Sequence, residues 1–279
     1  MLDVEPLTSA LAARVTGVRL TTADDLEVAA IRRALHEHGV LVFPGQPMDR
    51  DEQKAFTARF GDVHDHPVRE FLGSGADPLA VVENDASKPS QDDQNFHVDY
   101  SFNVVVPDLA VLRPEVLPDR GGDTIWSSAA AAYDALSPRF KEILADLTAV
   151  HDAGQRFWFE MRRTIGEEAA HRAQEQFAGN RHPVVGPHPH TGRMLLFVNP
   201  GYTVSIDGLS TRESAGLLRL LFEHINDPSF HYRHRWRPDD VVMWDEHQTT
   251  HMGPCDFFPA ARRLTRVTAG QHAPCRPAA

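Results

Sequence analysis

Residues 95–102, Asn95-Phe96-His97-Val98-Asp99-Tyr100-Ser101-Phe102, decide how the chain is read. In an extended run, residues i and i+2 leave the same face of the backbone. His97 and Asp99 therefore project together, an imidazole beside a carboxylate, while Phe96 and Val98 face the other way. Such a pair is two thirds of a 2-His-1-carboxylate facial triad, which holds Fe(II) on one side and leaves its other positions open to reactants. A single His-x-Asp arises by chance in many proteins. Its weight depends on a third ligand downstream and on a place for an anionic co-substrate.

Composition bounds the alternatives. The 279 residues are 42% hydrophobic and 24% charged, ordinary for a chain that buries a full core. No linker, repeat or low-complexity tract divides them, so one domain spanning 1–279 is expected. A net charge of −11 and a pI near 5.8 point away from nucleic acid and anionic lipid. Cys255 and Cys275 provide neither a disulfide framework nor a cysteine zinc pattern, which suits a reducing cytoplasm. No secretory signal is expected, and no apolar stretch approaches the roughly 20 residues of a membrane span.

Along the chain, residues 4–20 read as a short strand region. Leu26 to Gly39 reads as an amphipathic helix, with Val28, Ile31 and Leu35 on one face. Val40-Leu41-Val42-Phe43 is a buried strand closed by Pro44-Gly45, and a second helix runs from an Asp49 cap to Phe60. Turn formers dominate 72–94 around one short strand, 79–82. Strands follow at 109–112 and from Thr124, helices at 127–136 and 138–147. Residues 150–180 read as a helical or lid insertion. Beyond Arg181, short strands lie at 183–185, 194–198, 231–236, 240–244 and 263–268, interrupted by a helix at 210–225. Many short strands with helices concentrated elsewhere argue for a mainly β fold, a β-sandwich or jelly-roll core carrying helices.

After the strand 240–244 comes Glu246-His247-Gln248-Thr249-Thr250-His251-Met252-Gly253-Pro254. Either histidine could supply the missing ligand. A zinc-protease helix is disfavoured, because its general-base Glu would follow the first His and Gly253-Pro254 leaves no room for the helix. Further on, Arg262, Leu264 and Arg266 share one strand face. Two buried guanidinium groups are costly unless each meets an anion, and their fork geometry suits a carboxylate or sulfonate.

Taken in order, Asn95-Phe96-His97-x-Asp99, Gly121-Gly122-Asp123-Thr124-x-Trp126, Leu196-Phe197-Val198-Asn199-x-Gly201, Trp244-Asp245-x5-His251 and Arg262-x3-Arg266 resemble the taurine dioxygenase family. That family comprises Fe(II)- and 2-oxoglutarate-dependent dioxygenases, among them alkylsulfatases and phenoxyalkanoate-cleaving enzymes. The likeness runs from about Leu7 to Pro274 and takes in Thr16–Leu20, Val42–Gly45 and Arg59–Gly61.

The resemblance implies a distorted double-stranded β-helix flanked by helices. It implies Fe(II) on His97, Asp99 and His251, and 2-oxoglutarate held through its distal carboxylate by Arg262 with help from Thr124. O2 would be the second co-substrate. Arg266 would meet the anion of a small organic substrate, with His66, Asn95 and Phe197 among the substrate contacts. The expected outcome is hydroxylation of an unactivated C–H bond in a sulfonate, sulfate ester or carboxylate, with release of succinate and CO2. Homo-oligomers, dimers or tetramers, are common in the family.

One departure stands out: after His151-Asp152 the chain reads Ala153-Gly154-Gln155-Arg156-Phe157-Trp158-Phe159, where taurine users carry a serine and a phenylalanine. Arg156 and Phe157 thus suggest a larger acidic substrate, and taurine is not carried over. Two other readings keep some of the features. The same iron site could serve desaturation, cyclisation or another oxidation. A non-catalytic metal-binding β-sandwich would have no use for an anion clamp.

Overall fold

Successive side chains of the apolar run 40–43 leave opposite faces of a strand, so a run apolar throughout needs cover on both. A computed structural model, describing residues 2–64, 79–84, 95–177 and 179–276 (apart from the side chains of 156, 160 and 164), shows what covers it. Leu41 and Phe43 pack with Ile31, Leu35, Val111 and Met243. Val40 and Val42 join Ala110, Leu112, Trp126, Trp244 and Leu264 in a second cluster.

The strands are β1 (Asp3–Pro6), β2 (Ala13–Thr16), β3 (Val40–Phe43), β4 (Val63–His64), β5 (Ala80–Asn84), β6 (Val106–Val116), β7 (Thr124–Ser128), β8 (Thr148–His151), β9 (Asn180–Pro183), β10 (Val185–Pro187), β11 (Met194–Leu196), β12 (Thr203–Ile206), β13 (His231–His234), β14 (Val241–Asp245), β15 (Thr249–Met252) and β16 (Arg262–His272). The helices are α1 (Asp25–His38), α2 (Arg50–Ala58), α3 (Ala129–Ala135), α4 (Pro138–Leu144), α5 (Gly154–Ile165), α6 (Glu167–Phe177) and α7 (Thr211–Ile225). The main sheet runs β1-β2-β3-β14-β6-β16-β4, with β5 also on β16. Its pairs are antiparallel except β2 with β3. A three-stranded sheet, β13-β7-β15, lies against it, and the Trp126 and Trp244 rings meet between the two at 5.6 Å. The fold is mainly β with helices.

Local chemistry sets the helices where the sequence placed them. Asp24 and Glu27 cap α1 reciprocally, as Asp49 and Glu52 cap α2 and Ser210 and Glu213 cap α7; each such cap is worth about 1 kcal/mol. Gly39, at φ +71°, stops α1 by returning its N–H to the Leu35 carbonyl. Ile31, Leu35 and Phe56 then seal one face of the main sheet. Cys255 and Cys275 are both free. Among the described residues, no helix is long and apolar enough to cross a membrane.

The decisive stretch is not a strand. His97 makes one isolated antiparallel bridge, to His251, and residues 99–102 turn away with Tyr100 at φ +57°. A long-range contact takes the place of strand pairing: the Asp99 N–H goes to the Glu246 carboxylate at 3.0 Å instead of to a neighbouring strand. The alternation nevertheless holds, with Phe96 and Val98 buried on the far side.

Candidate active site

The site is assembled around the hinge between β14 and β15. Asp245 ends β14, and its carboxylate accepts the backbone N–H groups of His247 (3.0 Å) and Gln248 (3.2 Å), folding the chain back into β15. β15 pairs with β7, placing His251 opposite Trp126. On its other side His251 exchanges both backbone hydrogen bonds with His97, at 2.8 and 2.9 Å. Two histidines remote in sequence are thereby joined by the backbone itself.

Their side chains converge with Asp99. One ligand atom from each of His97, Asp99 and His251 lies within 4.8 Å of the others. Nε2 of His97 is 3.6 Å, and Nε2 of His251 4.0 Å, from Asp99 Oδ1. The His97 Nδ1 faces the Asn95 carbonyl at 2.9 Å, and a carbonyl only accepts, so that nitrogen carries the proton. Nε2 then presents its lone pair to the cluster. Burial, reinforced by the His97 ring, holds the His251 pKa well below the usual histidine range, so this ring is neutral. Burial alone would raise the Asp99 pKa. The Arg266 guanidinium and the two imidazoles outweigh it and hold the carboxylate ionised. Two imidazoles and one carboxylate form a donor set that fits Fe(II).

Two acids flank the turn. Besides Asp245, Glu246 is fully buried; one carboxyl oxygen accepts the Asp99 N–H, and Oε1 meets no donor. Burial, and then the charge of Asp99, push its pKa well above the usual range, so it is the neutral acid beside an ionised one. Sequence reasoning passed over it. The only trace was a second acid directly after a strand buried along its length.

Arg262, at the start of β16, is 5% exposed. Its Nε donates to the Gly122 carbonyl (2.8 Å) and its Nη2 to Thr124 Oγ1 (3.2 Å), while Trp236 Nε1 donates to the same hydroxyl at 3.0 Å. Among the described residues no carboxylate comes within ion-pair distance of it: nearby Asp123 and Asp256 are both engaged by Arg233. Burial pulls its pKa down to about 10. Gly122, at φ +71°, allows this approach, because a Cβ there would stand 3.0 Å from Arg262 Cδ. Thr124 precedes Trp126 by two residues on β7, so the guanidinium is anchored roughly 7 Å along the strand from the His251 position.

The remaining candidates fall in different places. Arg266 is partly buried, its Nη1 2.6 Å from the Asp99 carboxylate and its Nη2 3.1 Å from the Tyr100 hydroxyl. Asn95 is exposed. Phe197 packs behind the turn against Val98 and Val106, stacked on the His151 ring at 5.7 Å. Phe157, on α5, lies 5.7 Å from Phe102. Arg156 is also on α5, but its side chain, like the whole of His66, lies outside the described residues. His247, the other candidate for the third ligand, is buried and hydrogen-bonded to Asp108 at 3.1 Å. Trp126, Trp236 and Trp244 are core residues.

Residues 3–268 match the family model described as "Taurine catabolism dioxygenase TauD, TfdA family". The chain belongs to this family. Among TauD/TfdA relatives, it is 33% identical over 281 residues to an alpha-ketoglutarate-dependent 2,4-dichlorophenoxyacetate dioxygenase of Cupriavidus pinatubonensis, covering 94% of this chain and 96% of that one. It is 30% identical to an alkylsulfatase of Acinetobacter baylyi, covering 96% of this chain and 84% of the other. A taurine dioxygenase from Burkholderia xenovorans superposes with a TM-score of 0.83 at 31% identity, covering 99% and 91% of the respective chains.

Proposed function

We propose that this TauD/TfdA member is an Fe(II)- and 2-oxoglutarate-dependent dioxygenase. Its substrate would be a small anionic organic molecule (a sulfonate, sulfate ester or carboxylate), hydroxylated at an unactivated C–H bond with release of succinate and CO2. The observation that carries this reading is Arg262, a buried guanidinium without a carboxylate partner among the described residues, one strand repeat from a 2-His-1-carboxylate cluster. A metal-binding module would not need that cation.

In this reading His97, Asp99 and His251 hold Fe(II), which supplies the activation of O2 and the oxidation of 2-oxoglutarate and substrate. The protein's part is positioning. Arg262 and Thr124 receive the distal carboxylate of 2-oxoglutarate, and the Trp236 N–H leaves the Thr124 hydroxyl proton free to point at it. Arg266 and Tyr100 offer N–H and O–H donors to the substrate anion beside Asp99. Asn95, Phe157, His66 and Arg156 complete the proposed substrate side, on the strength of their sequence positions, whereas Phe197 stays in the core against Val98 and Val106.

We further read the two packed sheets as a double-stranded β-helix in a single domain, with α5 and α6 as its lid. Support for the lid comes from Trp158, Ala173 and Phe177 packing onto Tyr100 and Phe102, the residues that follow Asp99. The free cysteines fit a cytoplasmic setting, and a homo-oligomer remains part of the proposal by family likeness.

The test is succinate formation from 2-oxoglutarate with Fe(II), in aerated against anaerobic buffer, over a panel of sulfonates, sulfate esters and carboxylates. Aerobic, substrate-dependent succinate that Asp99→Ala abolishes is expected. Turnover that survives Asp99→Ala overturns the assignment.

A further inference from the structure

Asp108 sits near the start of β6, 9% exposed, and among the described residues each side chain hydrogen-bonded to its carboxylate is an imidazole. His272 Nδ1, at the end of β16, is 2.6 Å from Oδ1; His247 Nε2, from the β14–β15 turn, is 3.1 Å from the same oxygen. His190 Nε2, from the β10–β11 turn, is 3.1 Å from Oδ2. The His190 and His272 rings stand 4.6 Å apart at 80°, and His36 stacks on the outer face of His190 at 5.2 Å. Backbone geometry is shaped to admit the carboxylate: Gly270 has φ +67°, and a Cβ there would lie 2.4 Å from Asp108 Oδ2.

The geometry points to a second metal site, separate from the His97–Asp99–His251 cluster, in which Asp108, His190 and His272 bind a divalent transition ion of the Zn2+ class. One ligand atom from each of the three lies within 4.8 Å of the others. Two donors bound to one tetrahedral zinc at 2.0–2.1 Å stand about 3.4 Å apart; His190 Nε2 is 3.1 Å from Oδ2 and His272 Nδ1 2.6 Å from Oδ1, so an ion enters by moving the rings outward by less than about 1 Å. Imidazole donors select zinc, copper or nickel over the oxygen-seeking Mg2+ and Ca2+. Side-chain exposures of 30% at His190 and 47% at His272 leave the ion a path from solvent. His247, closed to solvent, keeps its hydrogen bond to the carboxylate and fixes its orientation from behind, as partners of metal-bound groups do. Binding exchanges the N–H···O bonds of His190 and His272 for N–metal bonds, each ring moving its proton to the other nitrogen. An ion held there ties β6, β16 and the β10–β11 turn together.

Zinc bound per chain, measured on full-length protein stripped by chelator and dialysed against ZnCl2, tests this independently of the catalytic reading. Asp99→Ala, which removes a ligand of the other cluster, is expected to retain one equivalent. Adding His190→Ala and His272→Ala should remove it. Zn2+ should also raise the thermal midpoint of Asp99→Ala, and His272→Ala, a half-exposed change near the chain end, should cancel that rise. Absence of zinc from Asp99→Ala, or its retention after both histidines are removed, overturns the second site. Loss of 2-oxoglutarate turnover alone would bear only on the proposed function.

Discussion

Arg266 Nη1 lies 2.6 Å from the carboxylate of Asp99, and the side chains are only 14% and 3% exposed. Without a metal, this guanidinium is the main counter-charge of a buried carboxylate that is held ionised. Removing one partner of such a pair costs about 3–5 kcal/mol, because the other is left buried and uncompensated. Arg266→Ala should therefore unfold at a markedly lower temperature than the parent when stripped of metal. A divalent ion can replace the lost positive charge, so Mn2+ should raise the thermal midpoint more in Arg266→Ala than in the parent. Equal Mn2+ shifts would show that the ion does not sit against Asp99.

Arg262 poses the opposite balance. It is a buried cation whose partners among the described residues are a carbonyl, a hydroxyl and the Phe257 ring, 5.7 Å away. Replacing such a charge with an apolar side chain of similar volume is often neutral or stabilising. Arg262→Met should match or exceed the parent's thermal midpoint without 2-oxoglutarate and lose the shift that 2-oxoglutarate produces. In turnover, loss of a buried charge contact of about 2–5 kcal/mol raises the 2-oxoglutarate requirement roughly 30-fold to a few thousand-fold. A 2-oxoglutarate-induced shift of the same size in both proteins would place the co-substrate elsewhere.

Much of this could be read from residue order because it rests on local rules. Asp49 announces α2 as its cap, and the alternation at 95–99 puts an imidazole and a carboxylate together even though the backbone there is a turn. Buried polar residues were less legible. His151, His182, His188 and His234 are all buried, although imidazole is a polar group. Each has found a partner that no spacing announces: Ser101 Oγ for His151, the Ser101 and Asn103 carbonyls for His182, Asp245 for His188 and Asp240 for His234. A polar group can be buried once it is paired, and pairing across many residues leaves no periodic trace. Asp108 and its three histidines were overlooked for the same reason.

Gly201 presses on the metal cluster from outside it. A Cβ at this position would stand 2.7 Å from the Cβ of His97, while the Gly201 N–H is bound to the Phe96 carbonyl at 3.0 Å, so neither side can yield freely. Gly201→Ala should lower stability by about 1–3 kcal/mol, the usual cost of overpacking, and weaken Mn2+ binding by displacing His97. Gly216, exposed within α7, has nothing within 4 Å of its would-be Cβ. There the same substitution should add about 0.5–1 kcal/mol and leave Mn2+ affinity unchanged. Chemical denaturation and Mn2+ titration of the two variants separate a steric effect at the cluster from a general intolerance of alanine.

Asp108 allows a test against pH, made in chelator so that no metal contributes. Burial would raise its pKa, but hydrogen bonds from His247 and His272, with His190 behind them, bring it well below the usual carboxylate range. A carboxylate whose native pKa is depressed stabilises the fold fully above its unfolded value of about 3.9, and that contribution fades as pH falls from there through the native value. Asp108→Asn leaves an amide where imidazole N–H groups need acceptors, so a loss of roughly 1–3 kcal/mol is expected at pH 7. The gap between parent and variant should hold down to about pH 4 and narrow below it. Urea melts across pH 3–7 measure this gap directly. A gap that widened below pH 4 would mean that the carboxylate is not the form the three histidines hold.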